Sequence, residues 1–358
     1  MKILVSLLSF LLIIQMTAAQ TTTIVILNEH EQNKLRKGVA SSENAKWLAD
    51  SILFLAERAL GRNPRPLEVV YYEGLLDINP NRIDTEKSFK DIDATVNLIY
   101  ASYLTDNSAY GKKAVEFTNA WVGKYKATGN PINENKFVAF YWAYHLFGQY
   151  FSNSEKRAAE KWMRSIVRAE MARKHTPNNN WEAKRMKMIG LIACILNDVV
   201  MKDFALKGWR KYLGTAYYAD GTSRDLKQRD ALHYHLSGIK PALSIFVNLQ
   251  NFDKRFDLYD YVGQEGGSIK KSIEYAVPYA TGKKTREEWV NTTVKLDKER
   301  AAAGLTKYQP GKLFNPSKAL PTFEWAVYYN EDWFSILGDK KDYATSWVGL
   351  LNSPIVRK

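Results

Sequence analysis

Cysteine is almost missing from this chain. Cys194 is the only one in 358 residues, so no internal disulfide can form and the fold must rest on its core. Cys194 lies within an apolar helical pattern and reads as a small buried hydrophobe. Histidine is also scarce, with five residues. His30, His145 and His175 are scattered, and His233 and His235 do not have the four-residue spacing that puts two metal ligands on one helix face. There is no Gly-x-Ser-x-Gly elbow, no Gly-rich phosphate loop and no low-complexity linker. Asp and Glu are plentiful, but no pair stands out as the two placed carboxylates of a glycoside hydrolase. Strand signals are few. Thr22 to Leu27 is a short β-branched run that predicts an irregular or edge segment.

What is abundant is positive charge and aromatic surface. Lys and Arg number 51 against 38 Asp and Glu, a net charge of +13, alongside 10 Trp and 21 Tyr. Such a balance points to an anionic partner. Residues 1–19 run from Met1-Lys2 through an apolar stretch, Ile3 to Ile14, to the small residues Thr17-Ala18-Ala19. This is the order of a secretory signal peptide, and it predicts cleavage before Gln20 and a secreted or periplasmic protein of residues 20–358. Export and the lack of any nucleic-acid motif argue against DNA or RNA. The apolar stretch is too short for a comfortable membrane span, so no membrane partner is expected. An acidic polysaccharide satisfies charge, compartment and aromatics together.

Helical periodicity dominates the rest. Ser42 is placed to cap a helix carrying Trp47, Leu48, Ile52, Leu55 and Leu60 and ending at Gly61. Phe89, Ile92, Val96, Ile99 and Tyr103 form one stripe at three- and four-residue steps. Similar stripes cover 109–124, 134–150, 154–172, 181–199, 203–214, 229–250, 268–277, 285–300, 322–337 and 340–351. Together they predict an all-α single domain of about a dozen helices, with antiparallel pairs stacked as in a toroid or solenoid. Three longer connections separate them. Asn63 to Lys87 holds Pro64, Pro66, Pro80, Tyr71 and Tyr72, and reads equally as a lid or a surface wrap. Lys174 to Asn180 is polar, and Lys307 to Pro321 carries three prolines.

Two clusters carry candidate chemistry. In the first, Pro177-Asn178-Asn179-Asn180-Trp181-Glu182 enters a helix, where one asparagine would serve as N-cap. Amide groups at a helix start also suit a bound carboxylate. In the second, Asp220-Gly221-Thr222 is followed by Arg229-Asp230-Ala231-Leu232-His233-Tyr234-His235, opening a helix that runs through Ile239, Leu243 and Phe246. Arg229 and His233 share a face, whereas His233 and His235 do not.

Asp220-Gly221 with Arg229 and Ala-Leu-His-Tyr-His resembles the signature helix of the alginate lyase superfamily, whose helical-toroid members include mannuronate-specific lyases. Thr128-Gly129-Asn130-Pro131-Ile132-Asn133, the asparagines before Trp181, and Pro278-Tyr279, Lys283-Lys284 and Arg300 are similar as well. The resemblance spans about residues 70 to 310. It implies an (α/α) toroid or incomplete barrel and a polysaccharide lyase that cuts a uronan by β-elimination, without cofactor or metal. In the best-known branch an Asn-His pair precedes an aromatic motif, and a Tyr-His pair lies on a later helix. Here Asn179 takes the place of that Asn, and Asn180 stands where the His would be. Tyr234 matches the catalytic tyrosine and His235 the residue after it. Arg229 is the nearest substitute for an upstream arginine at a different offset. These departures indicate a sister branch.

The resemblance implies the following roles. Asn179, with Asn180 and Arg229, binds and neutralises the uronate carboxylate, stabilising the charge that builds when the C5 proton leaves. Tyr234 protonates the departing 4-oxygen and is a candidate base as well, with His235 or His233 the alternative base. A nearby arginine is expected to lower the tyrosine pKa. Trp181, Tyr71 and Tyr72 offer faces for sugar stacking, while Arg185 and Arg300 are expected to hold neighbouring uronates. The expected partner is a mannuronate-rich alginate. Glucuronan or another uronan is the alternative substrate. A hydrolase of similar shape and a non-catalytic binder of acidic glycans are the rival functions.

Overall fold

The computed structural model describes residues 24–76, 78–338 and 343–358. The proposed signal peptide lies outside the described residues. Among the described residues, twelve helices of eight or more residues carry the fold. They are α1 (Glu29–Ser41), α2 (Glu43–Leu60), α3 (Pro80–Ser88), α4 (Lys90–Leu104), α5 (Ser108–Lys124), α6 (Val138–Leu146), α7 (Asn153–Met171), α8 (Asn180–Ile195), α9 (Val199–Ala216), α10 (Leu232–Leu249), α11 (Ile269–Ala280) and α12 (Lys295–Ala302). Among the described residues the only sheet is the two-residue pair β1 (Glu287–Glu288) and β2 (Lys312–Leu313), antiparallel. The expected all-α class is therefore what the structure shows. No helix among the described residues is long and apolar enough to cross a membrane.

Several boundaries depart from the sequence reading, each for a local reason. Helix α1 was not expected, although Asn28 and Glu31 form a reciprocal capping box at its start. Within the expected loop 63–87, Asn79 caps and Pro80 opens α3. The stripe at 134–150 is broken by single 3-10 turns at Asn135–Phe137 and Gly148–Tyr150. The stripe at 285–300 is the largest error. Its first half is β1 and an irregular segment, and only Lys295–Ala302 is helical. The C-terminal stripes are likewise short, at Leu320–Ala326, Phe334–Leu337 and Trp347–Leu351.

The described residues group into two compact units, one of residues 49–169 and the other of 25–48 and 170–358, with Ile24 assigned to the first. In the first, α4 and α5 are joined by a three-residue turn and pack as an antiparallel hairpin, with α6 against both. Trp121, Tyr125, Phe137 and Phe140 make an aromatic centre, with the Tyr125 and Phe137 centroids 4.5 Å apart. Asp91 is buried beside it and accepts from the Trp121 Nε1 at 2.9 Å and the Arg65 backbone N–H at 2.6 Å. Glu134 closes the Thr128–Asn133 turn by accepting from the Thr128 N–H and the Tyr125 hydroxyl.

In the second unit α8 is the central helix. Every residue from Arg185 to Cys194 is buried, as expected of a helix apolar nearly all round. Helices α9 and α10 pack on it. Gly208 on α9 lets them close. A Cβ there would stand 1.9 Å from the Met186 sulfur, so this contact requires glycine. Helix α10 in turn packs on Leu320–Ala326, and α1 is pinned by Arg357, which donates to Glu31 Oε1 at 2.8 Å.

Candidate active site

The start of α10 is where the candidate chemistry collects. The short helix Arg224–Arg229 ends at Asp230, which adopts a left-handed conformation (φ 49°) and breaks the stripe at 229–250 into two helices. The Asp230 carboxylate accepts from Arg286 at 2.5 Å and from the Asn291 N–H at 2.9 Å, and its carbonyl accepts from the Trp289 N–H at 2.8 Å. These bonds lash the segment after β1 onto the mouth of α10. Ala231 supplies no side-chain cap for α10. Glu288 does so from 55 positions away, accepting from the His233 N–H at 3.1 Å.

Around that mouth stand four rings. His233 and Tyr234 have centroids 4.4 Å apart, and Trp289 lies 5.0 Å from His233, 5.7 Å from Tyr234 and 5.0 Å from Tyr308. The Arg229 guanidinium carbon sits 3.5 Å from the Tyr234 ring centroid. Arg229 is held there by Asp297, to which it donates twice, through Nε at 2.8 Å and through the terminal nitrogen. Arg300 reaches the same carboxylate at 3.9 Å and lies over Tyr308 at 4.9 Å. Tyr234, His233, Arg229 and Arg300 are thus brought together, and Trp289, Tyr308, Asp297 and Glu288 join them.

The surroundings of Tyr234 fix its proton, and a carboxylate contact orients the His233 ring. Tyr234 is pushed well above the ordinary phenol value, by burial first; Arg229 opposes the shift and the Tyr308 hydroxyl adds to it. The expected lowering by arginine is present but loses to desolvation, so the phenol stays protonated. His233 Nδ1 lies 3.3 Å from Glu288 Oε1. With Nδ1–H donated to that carboxylate, Nε2 keeps a free lone pair.

His235 has a different environment. It is fully buried, its Nδ1 2.9 Å from Ser223 Oγ and its Nε2 2.9 Å from the Ser272 carbonyl. A carbonyl only accepts, so Nε2 carries the proton and Nδ1 accepts from the serine. Burial lowers its pKa to about 4. Both nitrogens are used in bracing α10 against α11 and the 223 turn, which corrects the expectation that His235 is a candidate base.

The asparagines also divide. Asn178 donates to Thr215 Oγ1 at 2.7 Å. Asn179 caps α8, accepting from the Trp181 N–H at 3.0 Å, which leaves its half-exposed Nδ2 without a partner among the described residues. Asn180 is buried, with its N–H on Asp225 at 3.1 Å and its Nδ2 3.5 Å from Ser237 Oγ. Ser237 is one turn after Tyr234 and donates to its carbonyl. The start of α8 therefore abuts the tyrosine's own helix. Its first two backbone donors are already taken, so a carboxylate must be met by side-chain amides rather than by free helix N–H groups. Trp181 lies under Arg173, 5.6 Å from its ring centroid.

Arg185 is buried, bound to the Glu170 carbonyl at 2.9 Å and to both Glu182 oxygens. It ties α8 to the end of α7, and the expected uronate contact is corrected on that ground. Tyr71 and Tyr72 belong to the first unit. Tyr71 is half exposed, and Tyr72 lies between Arg82 at 4.8 Å and Lys136 at 4.5 Å. Among the described residues no group of three or more His, Cys, Asp or Glu side chains is arranged to hold a metal ion.

Asp225 supplies a pH test of this arrangement. Burial raises its carboxyl to about 6 from the ordinary 3.8. Below about pH 3 it is neutral in folded and unfolded chains alike. As pH rises from about 4 to 6 the unfolded chain ionises while the folded one still holds its proton, and stability falls by about 3 kcal/mol. Asp225→Asn keeps an acceptor for Asn180, so its unfolding midpoint should gain on the parent's from pH 4 to pH 8. A gap that stays constant over that range would contradict the assignment.

The alginate lyase family profile matches residues 42–286. The chain belongs to the alginate lyase family and is by class a polysaccharide lyase. No curated protein matches the chain closely enough to count as a relative. An alginate lyase from Bacteroides ovatus superposes with a TM-score of 0.66 at 15% identity, over 92% of this chain and 100% of that one. Alginate lyase A1-III of Sphingomonas species A1, in a variant complexed with a tetrasaccharide, superposes at 0.51 with 14% identity, over 72% of this chain and 79% of that one. At such identities these likenesses establish the shared fold.

Proposed function

We propose that the protein cleaves a mannuronate-rich alginate by β-elimination, with Tyr234 as general acid and His233 as base. The supporting observation is the placement of these two rings side by side at the mouth of α10, beside the start of α8. The phenol is kept protonated by burial, and the imidazole is oriented by Glu288. In the reaction the C5–H bond of a uronate breaks and its proton passes to His233 Nε2. The electron pair forms the C4–C5 double bond, and the departing 4-oxygen takes the Tyr234 proton. The Asn179 side-chain amide steadies the carboxylate as its charge spreads. Arg229, committed to Asp297, acts on Tyr234 rather than on the substrate. Arg300 is left to face neighbouring uronates. The leader-like residues 1–19 and a polymeric substrate together favour action outside the cytoplasm, in the periplasm or beyond.

The test is a panel of polymannuronate, polyguluronate, mixed alginate and glucuronan, read by ultraviolet absorbance of the unsaturated product. Polymannuronate should give the fastest rise. A faster rise on glucuronan would overturn the substrate, and new reducing ends without absorbance would overturn the reaction.

A further inference from the structure

Helix α7 separates its charges. Its carboxylates are engaged away from solvent cations. Glu155 accepts from the Asn119 amide and the Ser152 N–H, both at 2.7 Å, Glu160 accepts from the Tyr144 hydroxyl at 2.6 Å, and Glu170 is fully buried. Its cations collect on the other side. Arg157, Lys161 and Arg168 are exposed, and Arg164 is half-buried between them. With 3.6 residues per turn, these four positions fall within an arc of about 60° and extend roughly 16 Å along the helix, at steps of about 4.5–6 Å. The side chains of Arg157, Lys161 and Arg168 make no ion pair or hydrogen bond among the described residues. Like charges three or four positions apart weaken a helix, whereas opposite charges strengthen it. Three glutamates on the same helix pair with none of these three cations. The sequence thus forgoes helix stability and keeps a straight line of positive potential, which is what an anion-facing surface requires.

The form of the line narrows the partner. A row of cations spaced at about the length of one sugar unit suits a linear polyanion with one charge per unit. A helix that lies on an anionic membrane needs apolar side chains beside its cations to enter the bilayer. Here Trp162, Met163, Ile166 and Val167 are all buried in the protein. The stripe lies wholly within the first compact unit, which does not carry Tyr234, His233 or Asn179.

We propose that the outer face of α7 is a second, non-catalytic docking surface for the polymer, taking the carboxylates of successive uronates on Arg157, Lys161, Arg164 and Arg168. The identity of the polymer rests on the lyase reading above; the surface itself does not. Holding one stretch of a long chain there keeps its other stretches at high effective concentration around the enzyme.

Binding of the Tyr234→Phe protein to immobilised long polymannuronate reads this surface without turnover. In that background the triple change Arg157→Gln, Lys161→Gln and Arg168→Gln should weaken binding about tenfold at low salt and make its salt dependence shallower. Glutamine is as good a helix former as the residues it replaces, so the melting profile should be kept. Arg157→Lys with Arg168→Lys, which preserves the charge, should bind as the parent does. In the otherwise intact enzyme the triple change should raise KM on the long polymer with kcat little changed, and leave cleavage of a mannuronate tetramer as it was. A triple variant that binds the polymer as tightly as its parent would overturn the surface. So would a loss seen only on phosphatidylglycerol vesicles, which would make the partner a lipid. The lyase reading fails separately, if the intact protein makes no double bond, and the binding comparison would still decide the role of α7.

Discussion

Tyr234→Phe will lower the rate of unsaturated-product formation by about a thousandfold or more, because it deletes the proton donor, and with it only the hydroxyl contact to Tyr308. Phenylalanine keeps the ring beneath Arg229 and edge-on to Trp289, so unfolding should shift by no more than about 1 kcal/mol. Kinetics and denaturant unfolding on one preparation read both numbers. Because burial holds the phenol above its ordinary value of 10.0, the acid should stay loaded across neutral and mildly alkaline pH. Wild-type turnover in the variant would remove Tyr234 from the mechanism. Lost turnover with lost folding would show that the hydroxyl is structural.

Asp297→Ala should have the largest effect on stability. Asp297 is fully buried and is the bidentate partner of Arg229, whose side chain is only 12% exposed. Removing it leaves a guanidinium without its counter-charge, at a cost of about 3–5 kcal/mol. It also frees the cation that sits over Tyr234, so any folded fraction should turn over slowly. The paired change Arg229→Met with Asp297→Leu separates the two effects. Stability should largely return, since a buried ion pair can be exchanged for apolar packing at little cost, while activity should stay low. A single variant as stable as the parent would mean that Arg229 finds another anion and that Asp297 does not set its position.

The parts of this site that lie on regular helices were legible in the sequence. Tyr234 stood out through the resemblance of Ala-Leu-His-Tyr-His to the family's signature helix, and the asparagines because they open α8, where capping chemistry marks the boundary. The contrast between His233 and His235 was not legible. Residues two apart face different ways, but which way is inward depends on α11, the Ser223 turn and Glu288, none of which periodicity positions. Trp289, Glu288, Asp297 and Tyr308 were missed for a related reason. Their stretch carries a helix-like stripe, yet hydrogen bonds donated by the Trp289, Asn291 and Thr293 N–H groups to Asp230 and Gln228 hold it irregular. Those contacts span about sixty positions, beyond any local pattern. The signal that was available is chemical: a Glu-Glu-Trp run between basic residues, and an unusual aspartate at the break of an apolar stripe. Arg185 misled for the opposite reason. A cation near a polar loop reads as a ligand contact, and only burial reveals that Glu170 and Glu182 already occupy it.

The central claim is that the chain cuts its polymer by elimination at the Tyr234–His233 pair. Digestion of polymannuronate in water enriched in heavy oxygen, followed by mass analysis of the oligomers, tests it most directly. Elimination adds no water, so the fragments should carry an unsaturated end and no label at the broken linkage. Labelled, saturated fragments would mean that water attacked the bond, and the account given for these two rings would be wrong.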